Sequence, residues 1–224
     1  MFKVSVVIPV KYPAKYLEKC LKVLSDQTFP PHEVLLVESS VDGPTKTLRS
    51  NVLFIRRIRQ IGTGLPQAWN QGVAESNGTH IAFLDSDDEW DVHCLEKHSL
   101  ASKDARYQGA SVGRVIFEPS SEMAPGFRKN LFGSSHLAYM PGCSVFSKSA
   151  LDKIGKFDEN LGVASDIEWF ARARELLDFV EIDSTVLRKK VHDKNLSLNS
   201  FETGVYERDL IQAIHQHIKV RKNK

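Results

Sequence analysis

The chain has 224 residues, enough for one large domain or two small ones, with 42% hydrophobic and 26% charged residues, near the average of soluble globular proteins. Its formal net charge is +2 at pH 7, and this near-neutrality, with no basic stripe interleaved with aromatics, disfavours a nucleic-acid-binding module. No apolar run approaches the ~18 to 20 residues of a membrane span. The opening, Met1 to Pro9, lacks the layout of a signal peptide and goes straight into a strand. Cys20, Cys94 and Cys143 are far apart, odd in number and without zinc spacing, so free thiols in a reducing cytosol are expected. In that compartment the sequons at Asn77 and Asn195 read as coincidence.

Val4 to Val10 is an apolar run of the kind buried on both faces of a sheet, closed by Pro9 and Pro13. Leu17, Cys20, Leu21 and Leu24 recur at helical spacing, predicting a helix over Leu17 to Gln27 that stops before Pro30-Pro31. Glu33 to Glu38 predicts a second strand, Thr45 to Ser50 a short helix and Val52 to Ile55 a third strand. Pro66 to Ser76 predicts a helix with proline in its first turn, where it is tolerated, and Asn77-Gly78 breaks it. Ile81 to Leu84 is a fourth strand. This alternation predicts a doubly wound α/β sheet with right-handed crossovers. Ligands of such sheets bind beyond the carboxyl ends of the strands, which here brings Val10-Lys11, Glu38-Ser39-Ser40 and Asp85-Ser86-Asp87 to one rim.

The second half is less regular. Ala110 to Glu118 and Gly142 to Phe146 predict strands, Ser149 to Ile154 a short helix, and Asp166 to Leu177 a longer one with Ser165 as N-cap. Ser120 to His136, polar with Gly126 and Gly133, reads as a mobile loop. Phe179 to Val191 holds one or two strands. Gly204 to Val220 forms a final amphipathic helix ahead of a basic tail. With no repeat, low-complexity tract or linker, one compact domain over 1–224 is expected: 1–100 as one half, 101–200 as the other, and 201–224 as terminal helix and tail.

The run Phe83-Leu84-Asp85-Ser86-Asp87-Asp88 sets three carboxylates at the end of a buried strand. Like charges that close call for a cation, and oxygen-only ligands favour hard divalent ions, Mg2+ or Mn2+. The plainer alternative is an acidic turn that caps the next helix.

These segments, taken in order, resemble the family 2 glycosyltransferases of GT-A fold from Val4 to about Leu198. The resemblance is carried by Val4 to Val10 with the Leu-x-x-Cys-Leu helix and Gln27-Thr28, by Gly64 to Gly72, by Ile81 to Trp90, by Gly155 to Glu159, by Ser165 to Phe170, and by Arg188 to His192 with Asn195. It implies a GT-A fold: a nucleotide-binding, mostly parallel sheet flanked by helices, with a smaller acceptor-side region. It also implies transfer of a sugar, with inversion, from a nucleotide-sugar donor, UDP-linked in the first instance, to a glycan or lipid-linked acceptor hydroxyl. That reaction needs a cation to neutralise the leaving diphosphate and a base for the acceptor proton.

The family's motifs map Asp87 and Asp85 to the metal, Asp85 touching metal or ribose, with His192 as a further metal or phosphate contact; a turn histidine is the equal alternative for His192. Asp166 matches the base and Glu168 is its runner-up. Glu38 falls where the family contacts the nucleoside, with Pro9 and Lys11 flanking the base pocket and Gly64 opening the middle helix. Trp169 and Phe170 read as core. The chain departs from the family pattern at Ser39, Trp69 and Ser165. The first two touch nucleoside recognition.

Two other readings stand beside this one. A sugar-nucleotide nucleotidyltransferase would want a Gly-rich, Arg-containing loop after the first strand, which Pro9 to Pro13 does not supply. A degenerate member that binds nucleotide without turnover is favoured slightly by Ser39, Trp69 and Ser165. The basic tail, Lys219 to Lys224, could touch an anionic membrane, although a solvated helix end is the plainer reading. The enzyme is therefore expected in the cytoplasm, at most peripheral at the inner face of the membrane.

Overall fold

The computed structural model describes residues 1–12, 14–39, 53–119, 131–162, 164–191 and 208–212. Its spine is a nine-stranded sheet in the order β3-β2-β1-β4-β8-β6-β9-β5, with β7 added beside β6. β1 (Val4–Val10), β2 (Glu33–Glu38), β3 (Ile55–Arg59) and β4 (His80–Phe83) run parallel. Between them, α1 (Leu17–Ser25) and α2 (Leu65–Glu75) make the crossovers. β5 is the short Glu89–Trp90, followed by α3 (Cys94–Ala101), β6 (Ala110–Pro119) and β7 (Ser135–Leu137). β8 (Ser144–Ser147) lies antiparallel between β4 and β6 and leads into α4 (Lys148–Ile154) and α5 (Ser165–Leu176). β9 (Val180–Val191) closes this half, parallel to β6 and antiparallel to β5. This is the expected α/β sheet, its parallel half first, with antiparallel pairs joining it to the second half.

The apolar runs are explained by burial on both faces. Val4, Val6, Ile8 and Val10 point to one core with Leu17, Cys20, Leu21 and Leu24 of α1. Val7, Leu35, Val37 and Phe83 point to the other, with Trp69, Phe157 and Trp169. Trp169 is fully buried, stacks on Phe157 at 4.6 Å and donates Nε1–H to Gly155 O at 2.7 Å. Its burial is worth on the order of 2–3 kcal/mol. Trp169 and Phe170 are thus core, as expected. Gly72 lets α2 lie directly on β1, since a Cβ there would collide with Val7.

Four expectations shift. The third strand runs over Ile55–Arg59 rather than Val52 to Ile55: it is a half-exposed edge with three arginines, and Phe54, from the apolar run that suggested it, is 65% exposed. The end of the segment expected to be loop pairs with β6, because Ser135–Leu137 is held by Arg114 through Ser135 Oγ and O at 3.0 Å each. Ser165 is not an N-cap but the buried first residue of α5, and Ala164 precedes it without a side-chain cap. The next helix begins at Cys94, with Asp91 Oδ1 accepting from His93 N, so the acidic run does not cap it. Thr45 to Ser50, Ser120 to Asn130 and nearly all of Gly204 to Val220 lie outside the described residues, although 208–212 is helical. Among the described residues no helix is long and apolar enough to cross a membrane.

Candidate active site

Register brings the strand ends to one rim. Val10 pairs with Glu38 and Glu38 with Arg59, and Leu84 N donates to Val7 O at 3.0 Å. Each chain leaving that rim carries polar groups: Lys11-Tyr12, Ser39, Gln60 to Gly64, and Asp85 to Asp88.

Asp85, Asp87 and Asp88 turn toward one another, each offering an oxygen within 4.8 Å of the others. Asp88 is buried at 2% exposure, and its Oδ1 has no hydrogen-bond partner. Lys189 enters the cluster from β9, donating to Asp85 Oδ2 at 3.0 Å and to Asp88 Oδ2 at 2.6 Å. Burial pushes the Asp88 carboxyl up, to about 7, against the pull of Lys189. Burial also pulls on Lys189, but the fields of Asp88 and Asp85 outweigh it and hold the ammonium well above the ordinary lysine range. A set of three carboxylates with an unpaired buried oxygen fits a hard divalent ion, and Asp85, Asp87 and Asp88 would hold it. His192, expected to join them, lies outside the described residues.

Asp166 sits in the first turn of α5, its Oδ1 accepting from Ile167 N at 2.8 Å. A helix N-terminus favours the ionised form, yet here burial wins and pushes the carboxyl up, to about 6. The charge on Asp85 adds to the rise and Lys189 opposes it, so Asp166 feels the charges of both. Glu168 has a different occupation. Both its oxygens are held by Arg172 at 2.8 Å, and Arg172 also donates to the Ile154 and Lys156 carbonyls. The pair fastens α5 to the segment after α4.

At the other end of the rim, buried Glu38 accepts from Tyr12 Oη at 2.7 Å and Arg57 Nε at 2.8 Å. Pro9 is half-buried on β1 and Lys11 is exposed. Gly64 has φ +92°, a conformation that favours glycine, and its carbonyl accepts from Gln60 Nε2 at 2.7 Å. Trp69 does not reach this pocket. It is core, 4.8 Å from the Phe157 ring, while Asn70 beside it pins Phe157 N and O at 2.9 Å each.

Sequence reasoning missed Lys189, Arg57 and Tyr12. A signal for the first was present: on a strand, Arg188 and Lys190 face away from Lys189, so one of three adjacent cations had to point elsewhere.

Residues 5–155 match the model of the family described as Glycosyl transferase family 2. Glycosyltransferase AglE of Haloferax volcanii is 26% identical over 189 residues, covering 77% of this chain and 61% of that protein. Chondroitin synthase of Escherichia coli is 24% identical over 211 residues, 89% of this chain but 30% of that one. Two solved structures share the fold: the mannosyltransferase PcManGT of Pyrobaculum calidifontis in complex with GDP-Man and Mn2+ (TM-score 0.68, 19% identity, 97% of this chain and 64% of that) and TarS 1-349 of S. aureus in complex with UDP-GlcNAc (0.65, 19%, 88% and 61%). At these identities the likeness is one of fold. The chain spans less than two thirds of each of these four proteins.

Proposed function

Because the chain belongs to glycosyl transferase family 2, we infer that it transfers a sugar, with inversion, from a nucleotide-sugar donor to an acceptor hydroxyl of a cell-envelope polysaccharide or glycolipid. The observation that carries this reading is the cluster of Asp85, Asp87 and Asp88 at the carboxyl end of β4, with Asp166, raised to about 6 by burial, near enough to feel the charge of Asp85. A base poised near neutrality suits proton abstraction from a hydroxyl. Asp166 takes the acceptor proton as its oxygen attacks one face of the sugar. Asp85, Asp87 and Asp88 would hold the divalent ion whose charge balances the diphosphate departing from the other face. A divalent ion, when bound, supplies Lewis-acid neutralisation of that diphosphate. Glu38, fixed by Tyr12 and Arg57, meets the nucleoside. Glu168, fully engaged by Arg172, supports the helix that carries Asp166.

Solved neighbours hold UDP-GlcNAc in one case and GDP-Man with Mn2+ in another, which supports a nucleotide-sugar donor and a divalent cation. The polysaccharide relative supports the acceptor class. Three free, buried cysteines suit the cytoplasmic location proposed for it. One observation favours a second reading, a nucleotide binder without turnover: Lys189 already pairs with two of the acids. Release of nucleoside diphosphate from a panel of UDP- and GDP-sugars, with Mn2+ and glycan acceptors, separates the two. Wild type turns over at least one donor, and Asp166→Asn lowers kcat by ~10²-fold or more with donor binding kept. Donor binding without turnover of any sugar would favour the second reading.

A further inference from the structure

Lys189 occupies ground that a cation would otherwise claim. It lies in register with Phe117 of β6, one residue from the Arg188–Glu89 pairing with β5. Strand alternation sends its neighbours away: Arg188 meets Glu118 at 2.8 Å and Lys190 meets Glu89 at 2.6 Å. Lys189 alone of the three turns inward, with its side chain 19% exposed and its Nζ shared by Asp85 and Asp88. An ammonium in that position has two effects. It holds two like-charged carboxylates together when nothing else does, and it competes for their lone pairs and repels an incoming cation. The unpaired Asp88 Oδ1 is the oxygen that remains on offer in the buried floor.

The geometry points to Lys189 as a positioning residue that pre-assembles Asp85 and Asp88 and weakens the bare cluster's hold on a divalent cation, so that the cation enters with the donor's diphosphate rather than ahead of it. The inference rests on reading the cluster as the cation site of a nucleotide-sugar enzyme. The two anionic phosphates restore the attraction that the ammonium removes, which couples nucleotide and cation binding, and such coupling is reciprocal.

The test is Mn2+ binding to the full chain, followed by electron paramagnetic resonance, with and without UDP or GDP. Wild type binds Mn2+ weakly alone and at least tenfold more tightly with nucleotide, the scale of a modest coupling. Lys189→Met tightens Mn2+ binding in the absence of nucleotide by about tenfold or more, the effect of removing a like charge a few ångströms away, and shrinks the nucleotide effect. Lys189→Arg keeps the wild-type pattern. Removing one partner of a buried pair can prevent folding, so Asp88→Asn/Lys189→Met is compared with Asp88→Asn as well, and the double variant binds Mn2+ the more tightly. Equal or weaker binding on loss of Lys189 in both backgrounds overturns this inference while leaving the cation site intact. Absence of Mn2+ binding by every protein, even with nucleotide, overturns both.

Discussion

The two ends of the parallel strands hold buried acids that face opposite fates. At the amino end, Glu33 of β2 is 1% exposed and accepts from Ser5 Oγ at 2.7 Å, from Asn77 N and Nδ2, and from Arg56 Nη1 at 3.1 Å. Burial raises its carboxyl, but the Asn77 amide, the Ser5 hydroxyl and Arg56 outweigh it, and the group lies below the ordinary range. At the carboxyl end, Asp88 is equally buried, takes one bond from Lys189, keeps Oδ1 bare and sits near 7. Both side chains are out of solvent, but Glu33 has four donors, whereas Asp88 has one and lies beside the like charges of Asp85 and Asp87, which push it further up. A fully satisfied acid fastens β1, β2, β3 and the turn before β4. An under-satisfied one marks the end left ready for a ligand.

The largest effect expected at the carboxyl end is on turnover. Asp87→Ala removes a carboxylate from the cluster and should lower kcat by on the order of 10²- to 10³-fold, the range for losing one electrostatic stabiliser, with the melting temperature nearly unmoved. A collapse in stability instead would make the cluster structural and erase the contrast. Glu33→Gln should show the reverse: a loss of about 1.5–3 kcal/mol, as for hydrogen bonds to a charged group, measured by urea unfolding, with kcat unchanged in the folded protein. A turnover defect there would break the comparison from the other side.

The two ends should also part in their pH dependence. Glu33 lies below its unfolded value, so the stability it gives is fully present above the unfolded range of ~4.3 and is lost as pH falls below that range and through the lower folded value. Asp166 lies above its unfolded value, at about 6; keeping it ionised costs stability above that pH, and protonation relieves the cost as pH falls. The proposed base works only when ionised, so kcat/KM should fall about tenfold per pH unit below 6. Activity thus fails on the acid side before stability does. A smaller acid effect comes from His98, fully buried against Ser111 Oγ at 2.8 Å and held by burial down to about 3. It takes up its proton only on unfolding, so it adds a decline in stability of at most one proton's slope between ~6.5 and 3. His98→Gln should flatten that part of the curve.

What could be read from the chain follows from how each feature is encoded. Strands buried on both faces are apolar runs, so β1, β2 and β4 were legible almost to the residue, as was the acidic run that ends β4. Asp166 was singled out only through the resemblance, because one aspartate at a helix start looks like any cap. β3 was misplaced because its edge position tolerates Arg56, Arg57 and Arg59, which read as surface. β5 is two residues long and exists only through its pairing with β9. Lys189 was only half legible: strand alternation turns it away from Arg188 and Lys190, but its partners are 101 and 104 residues away, so no local pattern says which acids it meets.

The central claim is that the acid rim works on a nucleotide sugar with a divalent cation. Nucleoside diphosphate release by wild type, followed with Mn2+, then with excess chelator, then with Mn2+ restored, tests it most directly. The account predicts a fall of ~10²-fold or more in chelator and full recovery on return of the metal. Undiminished turnover in chelator would contradict it, and would leave Lys189 as the cation that serves the leaving group.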